Sequence, residues 1–303
     1  MLRYLAIGVC SILLATGGSS GIGPANAGSR GGKGHKNRLP LSVYDPLQKY
    51  DREDWLAYEH LFVDWQDFRR RYFRAQIRYA EERNRHLVVT VEPWPEEDDP
   101  DKTGEALFSD ILEGAYDRPI KSICKLVGKS KGRPLVRWGH EMEGMSDRYP
   151  WAREDSAGYV DAYRYFATKC RDVARKVLFI WSPLGHEGLE NYYPGDTFVD
   201  LAGLPMWGYE KADIKWFGHP LGFDEIFTER YDRVAVYGKP VVLTEAGVAG
   251  SRKYEKRWIR RLKSARKRFP LLHSALYFNF REPFRWPDGL GRPDWRIDPR
   301  RLK

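Results

Sequence analysis

The feature that most constrains this chain is a repeated alternation of short apolar runs with longer amphipathic stretches. Strand-type runs stand at Leu41 to Tyr44, Leu61 to Trp65, Leu87 to Val91, Leu135 to Trp138, Val177 to Trp181, Val199 to Leu204, Val241 to Thr244 and Ala275 to Phe280. They are rich in Val, Ile, Leu and aromatics without strict polar alternation, the pattern of strands buried on both faces. Helical periodicity is clearest over Phe68 to Glu82, Gly104 to Leu126, Ser156 to Arg175, Phe223 to Val236 and Tyr254 to Phe269. Strand followed by helix implies parallel pairing with crossover helices. Eight units of roughly 31 residues match a single-domain α/β (β/α)8 TIM barrel. The competitor, a doubly wound open sheet, would carry a Gly-rich turn after its first strand. Here the Leu41 run meets Asp45-Pro46 instead.

Ahead of this domain, expected over 39–303, lie two segments of other character. Arg3, the apolar stretch Tyr4 to Ala15 and the small-residue site Ala25-Asn26-Ala27 have the order of a secretory signal, 1–27, cleaved after Ala27. An uncleaved N-terminal anchor is the alternative. Residues 28–38 are Gly-rich and basic, and a disordered tail is expected there. A secreted or periplasmic protein with no stable membrane insertion follows. Cys10 leaves with the signal; Cys124 and Cys170 remain, as one disulfide or as two buried thiols.

The formal charge is +9, and loss of Arg3 lowers it by one unit. The cations are spread over helix-like stretches such as Arg69 to Arg78 and Arg252 to Arg268. They fit solvated helix faces, and an export signal argues against nucleic acid as a partner.

Barrel chemistry sits at the C-terminal ends of the strands. Strand four reads on to Glu141 and strand seven to Glu245, 104 residues away. Period-two alternation puts Arg137, Gly139 and Glu141 on one face, and Val241, Leu243 and Glu245 on one face. Both glutamates are therefore expected to point inward. Such a pair suits glycosidic cleavage: one carboxyl protonates the leaving oxygen, the other attacks the anomeric carbon. Retention calls for a separation of about 5–5.5 Å. Arg137 is placed to keep Glu245 ionised.

The segment Arg137-Trp138-Gly139-His140-Glu141-Met142-Glu143-Gly144, with Tyr149 and Trp151 after it, resembles the strand-four signature of glycoside hydrolase family 26, which includes the β-mannanases. Leu243-Thr244-Glu245-Ala246-Gly247 resembles that family's nucleophile motif. Trp181-Ser182-Pro183, Tyr192-Tyr193-Pro194-Gly195-Asp196 and Glu92-Pro93-Trp94 resemble other strand ends of its members. The resemblance implies Glu141 as acid/base and Glu245 as nucleophile, supported by His140 and Arg137. His140 has the opposite parity to Glu141, so both reach one site only if the strand bulges or ends there; otherwise His140 is a core residue. Gly203 to Tyr209 departs from the family's Asp-then-Tyr pattern, which leaves Trp207 and Tyr209 as rivals for that position. The loop after Glu141 departs from it too.

Trp94, Trp151, Trp181, Trp207 and Trp286 fall at or beyond strand ends. Each alone is as consistent with core as with a sugar platform; together they suggest a groove. No metal site and no cofactor is implied: Gly128-Lys129-Ser130 lacks the upstream Gly of a phosphate loop, and His140-Glu141 has Gly144 where a zinc motif needs His. The expectation is a monomeric, secreted retaining endo-β-glycanase acting on a polysaccharide: β-1,4-mannan by resemblance, or a β-glucan or exopolysaccharide. The alternative is a catalytically inactive carbohydrate-binding barrel.

Overall fold

A computed structural model describes residues 39–95, 102–144, 148–152 and 154–303. The expected signal (1–27) and basic tail (28–38) lie outside these residues. Eight parallel strands close into a barrel in sequence order: β1 Leu41–Tyr44, β2 Tyr58–Asp64, β3 His86–Glu92, β4 Leu135–Trp138, β5 Leu178–Trp181, β6 Leu201–Tyr209, β7 Val241–Ala249 and β8 Leu272–Phe278. The helices between them are α1 Arg70–Glu82, α2 Gly104–Leu112, α3 Asp117–Val127, α4 Ser156–Val173, α5 Glu210–Phe217, α6 Phe223–Ala235, α7 Arg252–Lys263 and the short α8 Pro299–Leu302. Among the described residues no helix is long and apolar enough to cross a membrane.

The helices form because their apolar residues share a stripe. In α1, Phe73, Ile77 and Ala80 recur at helical spacing and are buried. Asp155 caps α4 by accepting from the Gly158 N–H at 2.8 Å, a contact worth about 1 kcal/mol. The stretch expected to be one helix over Gly104 to Leu126 is two. Gly114, at φ +89°, turns the chain left-handed between α2 and α3. A disulfide between Cys124 and Cys170 joins α3 to α4, with their Cα atoms 5.3 Å apart.

Inside the barrel, Val88, Leu135, Ile180, Leu201, Val242 and Leu276 form one apolar layer. One pleat nearer the C-terminal end the interior turns polar. His60 Nε2 meets Thr90 Oγ1 at 2.8 Å, and Ser182 Oγ meets Thr244 Oγ1 at 3.1 Å. Gly203 sits in this layer because nothing larger fits: a Cβ there would lie 2.7 Å from the Thr244 methyl and 2.8 Å from Ser182 Oγ. Val241, Leu243, Val136 and Trp138 pack outward in the main core with the helices.

This corrects the expected facing of β7. Val242 and Thr244 point inward, not Val241 and Leu243. The strand carries one extra residue there relative to both neighbours. Leu204 pairs with Leu243 but Pro205 with Glu245, and Leu243 pairs with Ala275 but Ala246 with Tyr277. The bulge lets adjacent Thr244 and Glu245 both face the interior. Nor does β7 end at Glu245; it continues to Ala249, still paired with β6.

Candidate active site

Strand β4 stops at Trp138, so Glu141 does not reach the barrel mouth by strand alternation as expected. Gly139 (φ +51°) and Glu141 (φ +58°) both adopt left-handed backbone. The turn is fixed by Glu141 N–H donating to the Ser182 carbonyl at 2.8 Å. A non-glycine residue in this region costs roughly 1–2 kcal/mol. The ended strand also resolves the parity of His140: it and Glu141 reach the same mouth.

One oxygen of Glu141, one of Glu245 and one ring nitrogen of His140 all lie within 4.8 Å of one another. Arg137, on the inward face of β4, donates from Nη1 to Glu245 Oε1 at 2.6 Å, and both side chains are buried. The guanidinium opposes any cation that these three groups would otherwise attract. Burial raises the Glu141 carboxyl to about 7, reinforced by the negative charge of Glu245 and opposed by Arg137. Glu92, ending β3, is likewise pushed up to about 7, chiefly by burial. Its Oε2 accepts from Trp94 Nε1 at 3.1 Å, and its Oε1 lies 4.0 Å from His140 Nε2. Burial, helped by the positive Arg137, holds His140 far below the usual imidazole range and therefore neutral. Among the described residues, both His140 nitrogens and Arg137 Nε and Nη2 have no hydrogen-bond partner.

Around the pair lies a cavity of about 210 Å³, lined by Tyr44, Glu92, Tyr149, Trp207 and Phe284 among others. Arg148 bridges it, 3.5 Å from Glu282 Oε1 and with its guanidinium 4.4 Å from the centre of the Phe284 ring. A second space of about 410 Å³ opens beside β1, β2 and the start of α1, and shares Tyr44 and Phe62 with the first.

The anticipated aromatics divide. Trp207 lines the cavity with both glutamates, and half-buried Trp94 holds Glu92. Trp151 and Trp181 are fully buried, so of the two alternatives they are core residues and not part of the expected groove. Trp151 instead braces the turn, donating to the His140 carbonyl at 2.7 Å, and Trp181 packs outward against Tyr193 and Tyr237. Tyr209 turns away from Glu245, its hydroxyl donating to the Leu290 carbonyl at 2.8 Å. Of the two rivals on β6, only Trp207 lines the cavity. Trp286 stands farther out, against Tyr209 and Trp216. Sequence reasoning passed over Tyr44, Phe62, Arg148 and Glu282 as site residues. Tyr44 was findable as the last residue of β1; Arg148 and Glu282 sit on loops with no periodic signal.

Residues 125–226 match the model of Glycosyl hydrolase family 26, a span that includes Glu141 and stops short of Glu245. The chain is 27% identical to endoglucanase H of Acetivibrio thermocellus, over 79% of this chain and 25% of that protein. It thus spans about a quarter of that relative's length. The catalytic domain of a Bacillus sp. GH26 endo-β-1,4-mannanase superposes with TM-score 0.59 at 17% identity, covering 76% of this chain and 69% of the other. A GH26 β-mannanase from Bacteroides ovatus gives 0.57 at 17% identity, covering 80% and 81%. At such identities the likeness to solved structures shows the fold alone. Over residues 125–226, and in its relative and its barrel, the chain is thus similar to members of glycoside hydrolase family 26.

Proposed function

We propose that the chain is an exported retaining endo-β-glycanase in which Glu245 attacks the anomeric carbon and Glu141 protonates the leaving oxygen. The observation that carries this is the approach of the two carboxylates to within 4.8 Å. That separation suits direct attack, whereas inversion needs about 6.5–9.5 Å to admit a water between carboxyl and carbon. Their environments divide the labour. Arg137 neutralises Glu245 as an anion, and a carboxyl raised to about 7 is still largely protonated at mildly acidic pH, as a general acid must be. After the first step Glu141 returns as base and takes a proton from water, which then cleaves the glycosyl–Glu245 ester. Neutral His140 packs against the pair, and Trp207 offers an aromatic wall to a sugar ring.

Endo action is favoured by the second space adjoining the cavity, which lets a polymer run on from the cleavage point. β-1,4-Mannan is the first substrate to test, because a structural neighbour is an endo-β-1,4-mannanase; a β-glucan is the second, given the endoglucanase relative. Export is favoured by the N-terminal sequence and by a disulfide that suits an oxidising compartment.

The test is a panel of polysaccharides digested by the native protein, Glu141→Ala and Glu245→Ala. The expected result is depolymerisation of one β-linked polymer with retained anomeric configuration, reduced about 10^4-fold or more in both variants. Hydrolysis that survives Glu245→Ala, or inverted product, would overturn the assignment. No cleavage by the native protein, with the polymer still bound, would favour the inactive carbohydrate-binding barrel.

A further inference from the structure

At the rim of the barrel mouth, beyond the cavity, α5 exposes a cluster of large apolar side chains. Ile214 is 50% exposed, Trp216 44% and Phe217 57%. Single exposed apolar residues are ordinary, but three on one short helix are not. The indole of Trp216 lies nearly parallel to that of Trp286, at 10° with ring centres 6.1 Å apart. The two come from different segments, Trp216 from α5 after β6 and Trp286 from the loop after β8, and a polar contact holds them in place. Trp216 Nε1 donates to Asp288 Oδ2 at 2.7 Å, and Lys215 Nζ donates to the Asp288 carbonyl. Asp288 is itself set by a tight turn in which Trp286 pairs with Gly291, with Asp288, Gly289 and Gly291 all at positive φ. An indole left over from core packing would not need a fixed polar partner at the surface.

From this platform a row of rings leads back to the site. Trp286 lies 5.7 Å from Trp295, and Trp295 4.8 Å from Trp207, which lines the cavity with the two glutamates. We infer that Trp216, backed by Trp286, is a second glycan-binding surface that holds the β-linked polysaccharide away from the point of cleavage. The proposal rests on the polysaccharide substrate proposed above. A flat, electron-rich ring matches the C–H face of a pyranose, whose weakly positive hydrogens point one way while its hydroxyls lie around the edge. Asp288 and Lys215 supply polar groups beside the ring for those hydroxyls. The flatness and the polar rim favour a sugar over an apolar protein segment, which would be better served by a groove.

The experiment measures retention of the protein in gels containing mannan or β-glucan, in a Glu245→Gln background so that the polymer survives. Adding Trp216→Ala should weaken retention roughly three- to tenfold, with Trp216→Phe restoring part and Asp288→Ala giving an intermediate loss. With Glu245 intact, Trp216→Ala should raise KM for the polymer while leaving turnover of a short oligosaccharide unchanged. Equal retention with and without Trp216, or equal losses on short and long substrates, would overturn the proposal. A change of oligomeric state in Trp216→Ala by light scattering would overturn it in favour of self-association. Retention does not depend on cleavage, so failure of the hydrolase reading appears separately, as absence of product from the native protein.

Discussion

Arg137 on β4 donates to Glu245 on β7 across the barrel mouth, at 2.6 Å and with both side chains buried. A buried cation paired with a buried anion contributes little net stability, but removing one partner leaves the other uncompensated. Arg137→Met should therefore destabilise the fold by about 3–5 kcal/mol and leave the Glu245 carboxylate without the donor that holds it in place. Denaturant titration checks the first effect; the rate of covalent labelling by a 2-fluoro glycoside checks the second, with a fall of at least about 100-fold expected. Arg137→Lys should recover the charge without the planar geometry, and so only part of the rate.

On the proposed assignment, the raised Glu141 carboxyl sets the basic limb of activity. As general acid it must hold its proton, so kcat/KM should fall as pH rises through about 7. In Glu141→Ala, tested on a substrate whose leaving group needs no proton, that limb should vanish.

Glu141 also has a stability signature. A carboxyl whose folded pKa exceeds its unfolded value stabilises the fold below the unfolded value, and that contribution is lost as pH rises through the folded one. Glu141→Gln is neutral throughout. Its Tm, relative to the native protein, should climb by a few degrees between pH 4 and pH 8, read by thermal scans at both.

Gly139→Ala tests the turn that delivers Glu141. Alanine at φ +51° costs roughly 1–2 kcal/mol, and its Cβ would press within 3.3 Å of Tyr159. Activity should fall about 10- to 100-fold, more than the modest loss of stability explains, since a misplacement near 1 Å is enough.

Reduction of the Cys124–Cys170 bridge, or the double alanine variant, should lower stability by roughly 3–4 kcal/mol while leaving kcat unchanged. The bridge lies among α3 and α4, behind the strands, and has no contact with the carboxylates.

The barrel was legible because burying a strand on both faces leaves a compositional mark that survives without any tertiary information. Glu141 and Glu245 stood out as the pair to examine because barrel chemistry gathers at the C-terminal side of the strands, and the structure brings the two within 4.8 Å. How they arrive was not legible. The extra residue in β7 at Thr244 and the left-handed turn at Gly139 and Glu141 break the period of two, and periodicity is blind to its own interruption. Trp151 and Trp181 were ambiguous for a different reason. An indole suits a core and a platform equally, and only burial separates them. The Arg148–Glu282 bridge and helix α5 arise from loop geometry, where local sequence carries the least information.

The continued pairing of β6 and β7 as far as Tyr209 and Ala249, set against a β4 that stops at Trp138, gives the cleft banks of unequal height. A ribbon-like polymer laid between them leans on a hydrogen-bonded wall along one edge and on loops along the other. On the proposed polysaccharide reading, side branches are expected on the low edge rather than the wall edge, a sorting by outline that precedes any recognition of individual hydroxyl groups.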